Sequence, residues 1–238
     1  MELTVKNISK SYKKGTLALD DLSLTIPSGV YGLIGRNGAG KTTLLRILAS
    51  VLTPTSGEIL LDGEPIMKNL GAYRKMLGYL PQNTKLMPQL NIVEFLEYMA
   101  ILKGMQDKNE IKYEVDRCIE IAGLGHERKK RLSKYSGGML RRAGIAQALL
   151  GDPKVLVLDE PTNHLDIDAI EFLEGYLGRS RCTLLMVTHD RYFLDRVCNQ
   201  IIEMADGTLY TYNGNYSYFL EKREERLANT NAQIDRAR

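Results

Sequence analysis

A glycine-rich segment near the N-terminus carries residue types that bind phosphate. It consists of Gly35, Arg36, Asn37, Gly38, Ala39, Gly40, Lys41, Thr42 and Thr43. Glycines let backbone N–H groups turn toward an anion without an intervening Cβ. In this pattern the lysine reaches the β- and γ-phosphates of a nucleotide, and the threonine hydroxyl can ligate Mg²⁺. The apolar run 30–34 before the segment and the leucine-rich helical pattern after it predict the strand–loop–helix context that phosphate binding requires.

Two adjacent acids, Asp159 and Glu160, follow the apolar run 155–158. A carboxylate at the carboxyl end of a parallel strand faces the ligand crevice of the sheet. We therefore predict that Asp159 holds Mg²⁺ through water and that Glu160 orients, or accepts a proton from, an attacking water molecule. An acidic pair after a strand is by itself more often a loop or a helix cap. The nearby phosphate loop favours the catalytic interpretation.

A further set of short motifs resembles those of ATP-binding cassette (ABC) proteins, in the order that family shows. Tyr135-Ser136-Gly137-Gly138-Met139 is similar to the signature motif, whose usual form is Leu-Ser-Gly-Gly-Gln. The others are Tyr12 for the aromatic that stacks on adenine, Gln82 for the Q-loop, Asn163-His164-Leu165-Asp166 for the D-loop and His189 for the switch histidine. Each motif alone is weak, since a lone glutamine, histidine or Ser-Gly-Gly is usually structural. Together they cover about residues 1–220.

The resemblance implies an ATPase with ATP and Mg²⁺ as cofactors. Gln82 would contact Mg²⁺ and the γ-phosphate, and His189 would contact the γ-phosphate. The signature segment 136–138 would complete the nucleotide pocket of the opposite cassette in an ATP-dependent head-to-tail homodimer, and Asp166 would connect the two sites. Met139 departs from the family pattern because a thioether cannot donate the hydrogen bonds of glutamine. The serine and glycine contacts remain, so we expect binding to persist.

Hydrophobic periodicity gives the expected fold. Leu22, Leu24 and Ile26 alternate with polar residues, as in a strand, and residues 54–82 also have strand and turn character. Asn91 with Glu94 three residues later predicts a capped helix. Strands alternating with helices predict an α/β fold. Together with the phosphate loop, this is a P-loop NTPase (RecA-like) core with an N-terminal antiparallel β subdomain and a helical insert.

We expect one cassette over most of the chain, followed by a charged helix. The predicted divisions are a cassette at 1–215, with core 1–84 and 152–215 and helical subdomain 85–151, and a C-terminal helical segment at 216–238.

Composition argues against several other classes of protein. The net charge of +3, from 32 basic and 29 acidic residues, is too small to indicate nucleic-acid or membrane binding. The basic run Arg128–Arg131 is predicted to be solvated. Three cysteines without metal-ligand spacing fit a reducing compartment. With neither a signal peptide nor an apolar run of 18 residues, we expect a cytoplasmic protein that reaches a membrane only through a partner.

The two halves of the chain resemble different relatives. Residues up to Thr162 are similar to ATPase subunits of drug and antibiotic exporters, whereas 163–238, with Tyr212-Asn-Gly-Asn-Tyr216, resemble F-type cassettes that act on ribosomes. Either this is a natural cassette with mixed features or, as we favour, a recombinant joined near Pro161–Thr162. The expected function is an ATPase without its native output partner. The alternatives are an exporter subunit whose membrane chain docks near Gln82 and, less expected, a fragment of a ribosomal translation factor.

Overall fold

The computed structural model describes residues 1–13, 15–205 and 207–237, and in that part of the chain strands and helices alternate. The strands are β1 (Leu3–Lys13), β2 (Thr16–Ile26), β3 (Val30–Gly35), β4 (Ser56–Leu61), β5 (Glu64–Pro65), β6 (Leu77–Leu80), β7 (Val155–Asp159), β8 (Thr183–Val187), β9 (Gln200–Ala205) and β10 (Thr208–Tyr212). The α-helices are α1 (Lys41–Leu48), α2 (Leu70–Met76), α3 (Ile92–Leu102), α4 (Lys108–Ile121), α5 (Gly137–Leu149), α6 (Ile167–Leu177), α7 (Arg191–Val197) and α8 (Tyr216–Ala237).

Two sheets form the framework. The first has the order β2-β1-β4-β5 and is antiparallel. The second has the order β10-β9-β3-β8-β7-β6 and is parallel except for β10. The predicted α/β class with an N-terminal antiparallel part is confirmed. Because β3 and β7 both end at the carboxyl edge of the second sheet, the phosphate loop and the acidic pair that follow them lie at the same edge.

A helical insert, α3–α5, lies between β6 and β7. Asn91 caps α3 as predicted: its side chain accepts the Glu94 N–H, and the Glu94 carboxylate accepts the Asn91 N–H at 2.9 Å. The α5 helix opens directly after Ser136, whose hydroxyl accepts the Met139 N–H at 3.2 Å. Both caps satisfy amides that a helix cannot pair internally, so both helix starts are set by local sequence.

Buried side chains cover both faces of the parallel sheet. On β7, Leu156 and Leu158 face the cluster formed with the helical insert, while Val155 and Val157 face the cluster shared with α1 and the antiparallel sheet. This two-sided burial explains why β7 is a continuous apolar run rather than an alternating one. The strand that carries Asp159 is therefore fixed from both sides.

One sequence expectation needs correction. Residues 54–82 are strand and turn only in part, since Ile66–Asn69 forms a 3₁₀ turn and α2 follows it. The helix is selected by tertiary packing: Tyr73 is buried, and its hydroxyl donates to the Leu48 carbonyl at 2.6 Å. The basic run is solvated as predicted at its three exposed residues 129–131, while Arg128 is partly buried and pairs with Asp116.

The C-terminal segment forms the predicted helix, α8. Phe219 is buried and packs edge-on against Tyr212, with ring centroids 5.1 Å apart. The buried carboxylate of Glu203 on β9 forms ion pairs with Arg223 and Arg226, each at 2.8 Å. The start of α8 is thus held to the core by apolar packing and a buried ionic cluster. In the described part of the chain, no helix has the length and apolarity needed to cross a membrane.

Candidate active site

The phosphate loop joins β3 to α1 and leaves the helix N-terminus uncapped by any side chain. Gly40, at the N-cap, has a φ of 102°, in the left-handed region that favours glycine. A Cβ there would come within 2.6 Å of the Ala18 carbonyl oxygen. The glycine is therefore required both by backbone conformation and by space. The first amides of α1 are consequently available to an anion.

The Lys41 ammonium spans the loop. Its Nζ donates to the carbonyls of Gly35 at 2.7 Å and Arg36 at 2.9 Å. Burial lowers the pKa of Lys41, while the nearby Glu160 and Asp159 oppose that shift. The acids thus favour the cationic form of Lys41, which suits a site for a phosphate anion.

An open cleft of about 490 Å³ lies beside the loop, within the size range of small-molecule sites. Its lining residues are Ala18, Asn37, Gly38, Gly40, Lys41, Thr42, Thr43, Gln82, Asp159, Glu160, Val187 and His189. The fold therefore assembles the phosphate loop, the Q-loop glutamine, the acidic pair and the switch histidine from four separate parts of the sequence. Gly35 and Ala39 line a second cavity, of about 700 Å³, that extends from the loop toward α8.

Asp159 ends β7 as a nearly fully buried carboxylate, with 1% of its surface exposed. Burial raises its pKa, and a hydrogen bond with the Thr42 side chain opposes that shift. The Asp159 Oδ2 has no hydrogen-bond partner among the described residues. A buried carboxylate oxygen without a partner, next to a threonine hydroxyl, is a pair of oxygen donors of the kind that hard cations bind.

Glu160 follows with a φ of 57°, unusual for a residue with a side chain. Its amide donates to the Val187 carbonyl at 2.7 Å, which fixes this turn against β8. One carboxylate oxygen lies 3.3 Å from the His189 Nε2, and the other accepts the His189 backbone N–H, also at 3.3 Å. Burial raises the pKa of Glu160, and His189 opposes the shift. Glu160 is 4% exposed, whereas the His189 side chain is 73% exposed, so the histidine lies on the open side of the carboxylate.

The remaining predicted residues lie elsewhere. Tyr12 is half exposed and its hydroxyl lies 3.1 Å from the Thr43 hydroxyl, at the margin of the loop. Asp166 caps α6 and pairs with Arg142 at 2.6 Å. The signature segment 136–138 opens α5, and of the described residues that line the cleft none comes from it.

The signature and D-loop segments of one chain contact each other. A Cβ at Gly138 would come within 2.6 Å of the His164 carbonyl oxygen, so the second signature glycine is required for this close approach. The two segments therefore form one surface that is separate from the cleft of the same chain.

Sequence analysis did not single out Arg141, which is 5% exposed and donates to the backbone carbonyls of Gln82 and Glu160. The available signal was a charged residue close to two small residues of α5, Ala143 and Gly144. Because α5 is buried on most sides, its periodicity did not show which way the guanidinium points.

Comparison with known proteins shows the family. A family model described as "ABC transporter" matches residues 19–163, and a second with the same description matches residues 202–237. The "Uncharacterized ABC transporter ATP-binding protein YybJ" of Bacillus subtilis is 34% identical over 88% of this chain and 95% of its own length. The chain belongs to this family and is an ABC ATPase domain.

Two further relatives are longer than this chain, and a third similar protein has a solved structure. The "Uncharacterized ABC transporter ATP-binding protein YfmR" of Bacillus subtilis is 36% identical over 95% of this chain, which spans 40% of that relative's length. The "Energy-dependent translational throttle protein EttA" of Mycobacterium tuberculosis is 34% identical over 94% of this chain and 44% of its own. A dimeric post-hydrolysis structure of the ATP-binding cassette MJ0796 with ADP and Pi is 27% identical, with a TM-score of 0.79 over 89% of this chain and 98% of that one.

Proposed function

We propose that this cassette binds MgATP in the cleft and hydrolyses it when two copies pair head-to-tail. The observation that carries the proposal is the juxtaposition of Lys41 and Thr42 with two buried carboxylates, Asp159 and Glu160, across one cleft. The phosphate loop would hold the β- and γ-phosphates through backbone N–H groups and Lys41. Tyr12, beside Thr43, is suitably placed to stack on the adenine ring.

Thr42 and Asp159 fit a magnesium ion, with Gln82 at the same cleft. No group of three or more His, Cys, Asp or Glu side chains in the described residues could hold a metal. The ion would therefore take further ligands from phosphate and water, as Mg²⁺ usually does in nucleotide sites. When bound, it neutralises charge on the phosphates.

Glu160 is proposed as the general base. Its carboxylate is buried, and its raised pKa makes it a better proton acceptor than an exposed glutamate. It would accept a proton from a water molecule that attacks the γ-phosphorus. His189, on the open side of Glu160, would contact the γ-phosphate and hold the carboxylate in orientation through its backbone N–H.

The separation of the signature segment from its own cleft supports the head-to-tail pair. The cleft has donors on the phosphate-loop side, and a second copy would add the Ser136 hydroxyl and the start of α5 opposite them. Closure would exclude bulk water and strengthen these interactions. Asp166, next to the signature segment, would lie between the two sites.

Substitution of Lys41 by alanine tests nucleotide binding. The Lys41 side chain contacts loop carbonyls rather than the core, so Lys41→Ala is expected to lose most ATP affinity and to keep its fold. The measurements are an ATP titration and the thermal midpoint without nucleotide. Lys68→Ala, which removes an exposed ammonium paired with Glu64, is the control. Undiminished ATP binding in a folded Lys41→Ala protein would contradict the assignment.

A transporter subunit is the second candidate. A groove of about 430 Å³ between the core and the insert is lined by Val51, Tyr79 and Met99 among others, and Ile101 and Leu102 on α3 are 59% and 61% exposed. These apolar side chains would suit a membrane subunit that docks on the helical insert. The protein would then be cytoplasmic, at the inner face of the membrane. Co-purification with a membrane subunit would support this role.

A ribosomal role is the third candidate. It is supported by the match at residues 202–237 and by the similarity to EttA. Co-sedimentation with ribosomes would support it. The hypothesis of a recombinant joined near residue 162 stays a prediction.

A further inference from the structure

We infer that Arg141 is a positioning residue for hydrolysis: it fixes the Q-loop and the acidic pair in one geometry, so that turnover rather than ATP affinity depends on it. This inference rests on the ATPase function proposed above. Arg141 lies on α5, the helix that the signature segment opens, and its side chain points away from solvent.

One side of the Arg141 guanidinium holds the Q-loop. Its Nη1 donates to the carbonyl of Pro81 at 2.7 Å and lies 3.3 Å from both the Gln82 carbonyl and the Thr84 hydroxyl. These residues directly follow β6. The backbone that carries the Gln82 side chain into the cleft is therefore held from behind.

The other side holds the acidic pair. Nη2 donates to the Glu160 carbonyl at 2.7 Å and also contacts the Asp159 carbonyl. These carbonyls stand at the end of β7, which pairs directly with β6 through Leu80 and Leu158. One planar group thus fastens the ends of two neighbouring strands, at the residues that carry the proposed catalytic side chains.

Folding stability alone does not account for the burial of the charged Arg141 guanidinium. Burial lowers the pKa of Arg141 to about 10, so the side chain still carries a charge at neutral pH. Its hydrogen-bond acceptors are neutral oxygens rather than carboxylates, and its Nε has no hydrogen-bond partner among the described residues. A buried charge without a direct counter-ion contributes little to folding. A guanidinium does, however, offer several donors in a fixed plane, which a lysine cannot match.

The position of Arg141 also links the two halves of the proposed dimer. Ser136, the N-cap of the same helix, does not line the cleft of its own chain. A displacement of α5 on pairing would therefore reach both Gln82 and Glu160 through one side chain.

The test is Arg141→Lys, which keeps the positive charge and removes the planar guanidinium with its several N–H donors. ATP affinity should change little, because the phosphate loop and Lys41 are untouched. The turnover number should fall roughly 10- to 100-fold, the range that a small misplacement of catalytic groups produces. Arg117→Lys is the matched control: Arg117 is a partly buried arginine that donates to the Leu149 carbonyl and to Glu114, away from the cleft. Arg117→Lys should lower the thermal midpoint, but it should not lower the turnover number selectively while ATP affinity is retained.

A double-mutant cycle with Gln82→Ala distinguishes positioning from a general loss of stability. If Arg141 acts by placing Gln82, the combined loss of turnover should be smaller than the product of the two single losses. If Arg141→Lys fails to fold, Thr84→Val keeps the shape of that side chain while removing one acceptor, and it should show a smaller loss of the same kind.

Four outcomes separate the possibilities. Unchanged turnover in a folded Arg141→Lys protein, or losses that multiply independently in the cycle, would overturn the inference while the wild type remains an ATPase. Parallel losses of affinity and turnover would also overturn it, in favour of a structural role. A wild-type protein that binds no ATP would instead show that the proposed function is wrong.

Discussion

Replacement of Glu160 by glutamine should separate ATP binding from ATP hydrolysis. The two side chains have almost the same shape. The glutamine oxygen can still accept the His189 backbone N–H, which lies 3.3 Å from Glu160 in the native protein, and its amide can donate to the His189 ring. The variant therefore loses the proton acceptor without losing the local hydrogen bonds.

The expected loss of turnover follows from the proposed role of Glu160 as the general base. A positioned general base contributes about 10²–10⁴-fold in rate, or about 2.7–5.5 kcal/mol of activation free energy at 1.36 kcal/mol per tenfold. Burial raises the pKa of Glu160, which means that the native protein holds the ionised carboxylate at a cost. A neutral glutamine removes that cost, so the thermal midpoint without nucleotide should not fall.

The assay combines phosphate release with size-exclusion chromatography in the presence and absence of MgATP. We expect turnover to fall about 10²–10⁴-fold, ATP affinity to be retained and the dimer to persist with ATP. Glu58→Gln is the control and should hydrolyse normally, because the Glu58 side chain is partly exposed, pairs with Lys6 and does not line the cleft. Full turnover in Glu160→Gln would refute the assignment and move the role to another group, with His189 the first to test.

Three further predictions concern pairing, cooperativity and the cysteines. Ser136→Arg should block the ATP-dependent dimer and leave monomer ATP affinity nearly unchanged, because bulk at the start of α5 obstructs only the partner; identical dimers by light scattering would contradict it. The chain should unfold in one transition whose midpoint MgATP raises; two transitions in calorimetry, only one of them sensitive to ATP, would refute a single unit. Burial raises the pKa of Cys118 and of Cys198 to about 12, from an ordinary value of 9.0, so the folded protein holds these protons above the pH at which the unfolded chain releases them. Stability should therefore fall as pH rises through and above 9, less steeply in the double alanine variant, as denaturant titrations at several pH values would show.

Local sequence was sufficient for much of the site. The phosphate loop needs glycines and Lys41 at fixed spacing, and those requirements are visible in the residues themselves. The Asn91 cap and the helix after Ser136 were also predictable, because a cap depends on residues within one turn.

Contacts between distant segments were harder to predict. The α2 helix is held by the Tyr73 hydroxyl on the Leu48 carbonyl, and the Arg141 contacts join segments far apart in sequence. Neither leaves a periodic pattern, since both depend on which backbone carbonyls remain unpaired after the sheet has formed. The separation of the signature segment from its own cleft agrees with the paired arrangement implied by the resemblance. No property of the serine and glycines alone would have given it.

The strand order has a consequence for how this chain is made. The phosphate-loop strand β3 is synthesised early, yet both of its neighbours in the sheet, β8 and β9, come late: Val30 pairs with Leu184, and Tyr31 with Gln200. During translation the two edges of β3 therefore stay unpaired until β8 and then β9 have left the ribosome. Such long-range parallel pairing folds slowly and exposes strand edges to aggregation. Nucleotide capture should accordingly follow the synthesis of β8 and β9, and the nascent chain should need protection between the synthesis of β3 and that point.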